Sequence, residues 1–320
     1  MQEQDAVSIE YFEDEERFAD LLNGYLFHGR ELVKAEDIQE KNRSVSLIRK
    51  NKGKMKAEVL MRDVMRQVNI QLKIVLVSLE NQSDIHYAMP VRVLSGDGAA
   101  YHEQWRKLAK KHRRKKDLKG AEFLSGFGKG DRLVPVMTLV LYFGNEPWDG
   151  PKSLKEMMDF TAMPEEVKET VADYPIHLLE VRNYPYLENF RTDLRYVFGF
   201  LQNTKSREEL KNYVNENREI FEELEEDAYD FISVMSHSPE LKKIKKNNQT
   251  EGGRYNMCKA IQEMIEESKR EGRQEGRQEG IQLTKKIYRS HMSGMSYKKI
   301  SKKYKISVGE VREILDDTTE

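Results

Sequence analysis

The sequence predicts an α/β fold with a helical C-terminal region. Three observations lead there. Two runs, residues 72–80 and 134–143, are β-branched and nearly all apolar. Helical periodicities flank both of them. From about residue 186 onward strand signals stop, and charged helical patterns take over.

The elements follow in order. Residues 7–28 read as one helix, because Phe12, Phe18, Leu21, Leu22, Tyr25 and Leu26 recur at helical spacing. Gly24 weakens that pattern, and Gly29 is a plausible stop. A second helix is expected over residues 54–66. The run 72–80 has the make-up of a strand buried on both faces. It ends on polar residues, Glu80, Asn81, Gln82 and Ser83. Residues 86–108 predict a helix beginning near Met89-Pro90, where proline is tolerated in the first turn. A dense basic stretch follows over residues 106–119. Residues 134–143 form the second buried strand and lead into a turn-rich segment, 144–151. Residues 176–181 are a short third strand.

Residues 186–270 read as helices, with an acidic run at 222–230 and a basic run at 242–246. A four-residue Glu-Gly-Arg-Gln repeat follows over 270–280. Each of its glycines costs about 1 kcal/mol of helix stability relative to alanine, so the segment reads as a weak exposed helix or a linker. The expected organisation is a core at 1–185, a helical region at 186–269, a repeat linker at 270–282 and a small helix-turn-helix-like tail at 283–320.

Charged residues make up 34% of the chain and apolar ones 38%, with a net charge of −1. Attraction to a polyanion must therefore come from local clusters. A single cysteine, Cys258, rules out a disulfide within one chain. The acidic N-terminus lacks a basic-then-apolar leader pattern, and no apolar run approaches the roughly 20 residues of a membrane span. The expected setting is the cytoplasm, with no membrane partner.

Chemistry concentrates around the first strand. Asp63 precedes it, and Glu80 and Gln82 close it. Residues i and i+2 of a strand share a face, so Glu80 and Gln82 project side by side. A carboxylate at the end of an apolar strand is costly unless it meets a cleft, a cation or a hydrogen-bond partner. With Asp63 added, the result is an oxygen-rich pocket suited to Mg²⁺ or Mn²⁺. The same spacing also describes turn-forming and helix-capping acids.

A longer pattern surrounds these residues: Arg62-Asp63, then Ile74-Val75-Leu76-Val77-Ser78-Leu79-Glu80-Asn81-Gln82, then Ile85-His86-Tyr87-Ala88-Met89-Pro90-Val91-Arg92-Val93. With Phe18-Ala19-Asp20-Leu21-Leu22-Asn23, Phe123-Leu124-Ser125-Gly126-Phe127, Pro135 to Gly144 and Glu146-Pro147-Trp148-Asp149-Gly150-Pro151, it resembles the recombination-promoting nuclease / putative transposase family of the PD-(D/E)XK nuclease superfamily. The resemblance covers most of the chain, with gaps. It implies a restriction-endonuclease-like core, a mixed sheet flanked by helices, and metal-dependent DNA cleavage. It places the superfamily aspartate at Asp63 and the glutamate at Glu80. Gln82 stands where the superfamily usually has lysine, replacing a positive charge by a neutral dipole. Arg92 is a candidate substitute. An additional metal-binding acid from the first helix falls on Asp20, with Glu16 next. A homodimer is expected by analogy with other nucleases of this fold.

The basic stretch supplies candidate DNA contacts: Lys110, Lys111, Arg113, Arg114, Lys115 and Lys116, joined by Arg92. Its bland alternative is a solvated helix face. The tail reads either as a DNA-reading helix-turn-helix or as a structural helical hairpin, the latter favoured by the acids Glu310, Glu313, Asp316 and Asp317. The histidines, Cys258 and Trp148 read as structural, and Tyr87 and Tyr101 as core residues or as flanks of a DNA path. The expected function is a metal-dependent DNA endonuclease, acting in recombination or mobile-element movement. The alternatives are a weak or inactive DNA-binding accessory protein that keeps the fold, and an interaction protein working through its helical half.

Overall fold

The computed structural model describes residues 3–40, 44–51, 54–61, 64–70 and 73–316. The chain divides into two compact units, Met1–Cys258 and Lys259–Glu320.

Unit one opens with helices α1 (Glu3–Tyr11) and α2 (Glu15–Leu21), followed by a π-helical turn, Leu22–Leu26. The single helix expected over 7–28 is thus broken. Asp14 starts a new helix by accepting a hydrogen bond from the Arg17 backbone N–H at 2.8 Å. Five strands follow: β1 (Ile38–Glu40), β2 (Ser44–Asn51), β3 (Lys54–Met61), β4 (Val64–Ile70) and β5 (Lys73–Gln82). The helix expected over 54–66 is therefore incorrect. Residues 54–61 pair antiparallel with β2 along their whole length, from Asn51↔Lys54 to Ser44↔Met61. Cross-strand pairing outweighs a local helix preference of a few tenths of a kcal/mol per residue.

Next come α3 (Met89–Lys115), α4 (Gly120–Ser125), β6 (Val136–Tyr142), α5 (Glu165–Thr170) and β7 (His177–Glu180). Both later strands fall where the sequence puts them. Helices α6 (Leu194–Gln202), α7 (Arg207–Glu216), α8 (Arg218–Phe221), α9 (Glu226–Met235) and α10 (Pro239–Ile244) complete the unit.

Strands β1, β4, β5, β6 and β7 make one sheet in that order, while β2 and β3 form a separate hairpin. β1, β4 and β5 are antiparallel neighbours, and β5, β6 and β7 run parallel. The fold is mixed α/β, as expected. α3 provides the crossover that a parallel β5–β6 pair requires.

Register decides which side chains share a face. Glu80 pairs with Val140, Ser78 with Thr138 and Leu76 with Val136. On this face Met89 and Val93 of α3 pack with Val140, Tyr142, Trp148 and Ile176. Further along the helix, Ala99 and Ala100 meet Met65, Leu76 and Val136. The buried Asp97 pins α3 to the sheet, accepting from Thr138 Oγ1 at 2.5 Å and from the Tyr174 hydroxyl at 2.7 Å.

The opposite face carries Val64, Val68, Val77, Leu79, Leu139 and Leu141, all buried. There the Arg66 guanidinium lies over the Phe18 ring of α2 at 5.9 Å, and Phe143 meets Phe231 of α9 edge-on at 5.6 Å. The division expected at 185/186 thus falls inside unit one. The buried Arg182 ties the two stretches together by donating to the carbonyls of Phe143, Leu201 and Met235.

Unit two contains most of α11 (Met257–Met292), with α12 (Tyr297–Tyr304) and α13 (Val308–Asp316). Ile287, Ile300, Val311 and Leu315 form its core, with Tyr304 and Ile314 packed at the edge. Ser307 and Glu310 make reciprocal capping bonds at the start of α13, 3.1 and 2.7 Å. The repeat at 270–280 continues as helix within α11. Among the described residues, no helix is long and apolar enough to cross a membrane.

Candidate functional site

β5 delivers Glu80 to its far end on the α3 side of the sheet. Val77, Ser78 and Leu79 are fully buried just before it, and Glu80 itself is only 1% exposed. A carboxylate at that depth requires a partner. Arg92, one turn into α3, supplies one: its Nη2 lies 2.7 Å from Glu80 Oε2. Pro90 fits the first turn of that helix because it has no N–H to leave unsatisfied. Arginine is suited to the place because its guanidinium stays charged and can face a carboxylate or a phosphate with several donors.

Gln82 follows on the same face, half-buried, with its Nε2 donating to the Asn81 carbonyl at 2.8 Å. Asp63 lies outside the described residues. Its neighbour in sequence, Val64, pairs with Leu79, the residue before Glu80. The structure thus brings Glu80 and Arg92 into contact, with Gln82 on the same strand face but its amide bonded to the Asn81 carbonyl.

Asp20 is placed differently. Its carboxylate accepts from the Arg191 N–H at 2.9 Å, and from the Thr192 N–H and Thr192 Oγ1 at 2.7 Å each. These bonds tie α2 to the segment leading into α6. Glu16 is exposed and lines a cavity of about 800 Å³ together with Arg17, Asp193 and Asp227. In that cavity wall Arg17 is held by Asp193 at 2.8 Å, by Asp227, and by the Tyr11 ring at 4.4 Å. Burial opposes its charge, but the bond to Asp227 and the neighbouring Asp193 keep its pKa above the usual arginine value.

The donor chemistry at this strand end, the Glu80 carboxylate and the Gln82 amide, suits a hard divalent cation. Among the described residues, no group of three His, Cys, Asp or Glu side chains is arranged to hold a metal. A complete donor set there would draw on Asp63, water or substrate oxygens.

The basic stretch belongs to α3, which runs to Lys115 rather than stopping near 108. Lys110, Lys111, Arg113, Arg114, Lys115 and Lys116 are all exposed. Within this stretch lies a feature the sequence does not advertise. His112 Nδ1 meets Asp117 Oδ1 at 2.7 Å, and its Nε2 meets Asp131 Oδ2 at 2.8 Å. The hydrogen bond to Asp117 leads in raising the histidine pKa above 6.5, and both carboxylates are held below 3.8. No local spacing signals this clamp, because its partners lie five and nineteen positions away.

Trp148 and Tyr101 are tied into the structure, whereas Tyr87 is not a core residue. Trp148 is buried, with its Nε1 donating to the Gly150 carbonyl at 2.9 Å. Burial raises the Cys258 pKa. Tyr87 is 60% exposed and donates to Asp149 at 3.0 Å, whereas the Tyr101 hydroxyl accepts from the Val136 N–H at 2.9 Å.

Comparison with protein-family models, with curated proteins and with solved structures finds no match to this chain.

Proposed function

We propose that this chain is a metal-dependent DNA endonuclease of the PD-(D/E)XK kind, using Mg²⁺ or Mn²⁺. The observation that carries the reading is Glu80, a buried carboxylate at the polar end of a core strand. It faces Arg92 at the head of a helix whose other end is strongly basic. The mixed sheet flanked by helices agrees with the fold class that the resemblance implies.

A bound ion would polarise the phosphodiester and lower the pKa of an attacking water. Glu80, with Asp63, would hold that ion. The Gln82 amide would orient water or substrate as a neutral dipole, in the place where lysine would add charge. Arg92 supplies the missing positive charge. Its guanidinium can exchange the Glu80 carboxylate for a substrate phosphate, another anion that arginine pairs with. The exposed lysines and arginines of α3 would hold the duplex backbone and make binding salt-dependent.

The test is incubation of supercoiled plasmid with the full chain and Mg²⁺ or Mn²⁺, beside Asp63→Ala, Glu80→Ala and a chelator control. Nicking or linearisation by the unaltered protein, lost in all three controls, supports the proposal. A second reading, a DNA-binding accessory protein without catalysis, is favoured by Gln82 and by the Arg92–Glu80 contact itself. Salt-sensitive DNA binding without any cutting would select it.

A further inference from the structure

The far end of α3 carries more than charge. Residues 105–133 contain eleven lysines and arginines against three acids. All three acids are engaged locally: Asp117 and Asp131 by His112, and Glu122 by the Lys129 N–H at 2.7 Å. Eleven cations against three acids leave this end with a clear positive excess. On the short helix α4, Phe123 is 66% exposed and Leu124 86% exposed, with the half-exposed Trp105 nearby on α3.

These apolar side chains stand on a fixed support. Trp105 Nε1 donates to the Ser125 carbonyl at 3.0 Å. Gly126 closes α4 at φ +68°, and a Cβ there would come within 2.7 Å of Ala109 Cβ, so only glycine lets α4 lie this close to α3. The His112 clamp fastens the segment at both ends. Two large apolar side chains are thus held out to solvent in the most basic part of the chain.

We infer that α4 is an apolar wedge for double-stranded DNA. In this reading the α3 lysines and arginines contact phosphates while Phe123 and Leu124 press between or against bases, as apolar wedges of DNA-bending proteins do. The inference rests on DNA being the substrate and adds how it is held. Lys110 lies eighteen residues beyond Arg92, about five helical turns or about 27 Å along α3. At about 3.4 Å per base pair that spans about eight base pairs, so one duplex can reach both ends of the helix. A basic surface with exposed Phe and Leu also suits an anionic membrane. The basic end of α3, the same helix that presents Arg92 to Glu80 of β5, favours DNA.

The test measures affinity of the full chain for a mixed-sequence duplex in EDTA, over a range of salt. Phe123→Ala/Leu124→Ala is expected to weaken binding about tenfold with an unchanged salt slope, since no phosphate contact is lost. Lys110→Glu/Arg114→Glu is expected to flatten the slope. Both pairs are exposed, so folding should survive, which circular dichroism checks. Equal affinity of the Phe123/Leu124 variant and the unaltered protein overturns the wedge. Loss of binding to phosphatidylserine vesicles, with DNA affinity unchanged, assigns the tip to a membrane. If the unaltered chain binds no duplex, wedge and nuclease fall together. Binding with the expected dependences but no cleavage retains the wedge and removes the nuclease.

Discussion

Arg92 Nη2 lies 2.7 Å from Glu80 Oε2, and the two side chains differ in exposure, 42% against 2%. The arginine is a lid of charge over a buried carboxylate. Removing it leaves a desolvated charge, whereas Glu80→Gln removes the need for it. Arg92→Ala should therefore destabilise unit one by about 1–2 kcal/mol, between the exposed-pair and buried-pair ranges because Arg92 is partly solvated. The double variant with Glu80→Gln should recover most of that loss. Urea unfolding of the four proteins measures it, and additive effects would mean the contact contributes nothing.

Asp20 should prove structural. Asp20→Ala leaves the Arg191 and Thr192 N–H groups without their acceptor, a loss of about 2–4 kcal/mol for several bonds to one charged group. Mn²⁺ titration by calorimetry should give the same affinity with and without Asp20. Weakened binding in a folded Asp20→Ala protein would restore it to the metal site.

The His112 clamp sets a pH window for the basic tip. The folded-state histidine pKa is raised, so its stabilisation is complete below the ordinary value of 6.5 and fades as pH rises through the raised value. The Asp117 and Asp131 pKa values are depressed, so their contribution is present above 3.8 and is lost as pH falls through the lowered values. Hydrogen exchange over residues 117–131 should therefore slow most, after correction for intrinsic rates, between about pH 4 and pH 6.5. Protection independent of pH, or unchanged in His112→Ala, would show that the clamp does not hold the segment.

Gly272, Gly276 and Gly280 each have open space where a Cβ would be. Replacing all three by alanine should raise helicity and stabilise this part of α11 by about 1 kcal/mol per site. Circular dichroism reads the helicity, and sedimentation shows whether the association state changes. A loss of association would mean that the glycines permit a second chain to approach closely.

Local composition suffices for part of the fold. Residues 73–82, 136–142 and 177–180 are strands because runs of β-branched and apolar side chains can be buried only as core strands. The small hairpin of Ile300, Val311 and its Ser307 cap was legible for the same reason, since its contacts lie within a few turns. Glu80 and Gln82 on one face followed from strand alternation alone.

Tertiary structure alone decided the rest. Residues 54–61 became a strand because β2 supplies hydrogen-bond partners that no local pattern records. Asp20 is committed to residues 191–192, and His112 to Asp117 and Asp131, through contacts set by where the chain returns. Arg92 reaches Glu80 only because Asp97, Val93 and Met89 fix α3 against the sheet in one register. Local sequence sets periodicity and burial preference. The pairing of charges from separate elements depends on packing in three dimensions, and there this chain assembles its candidate site.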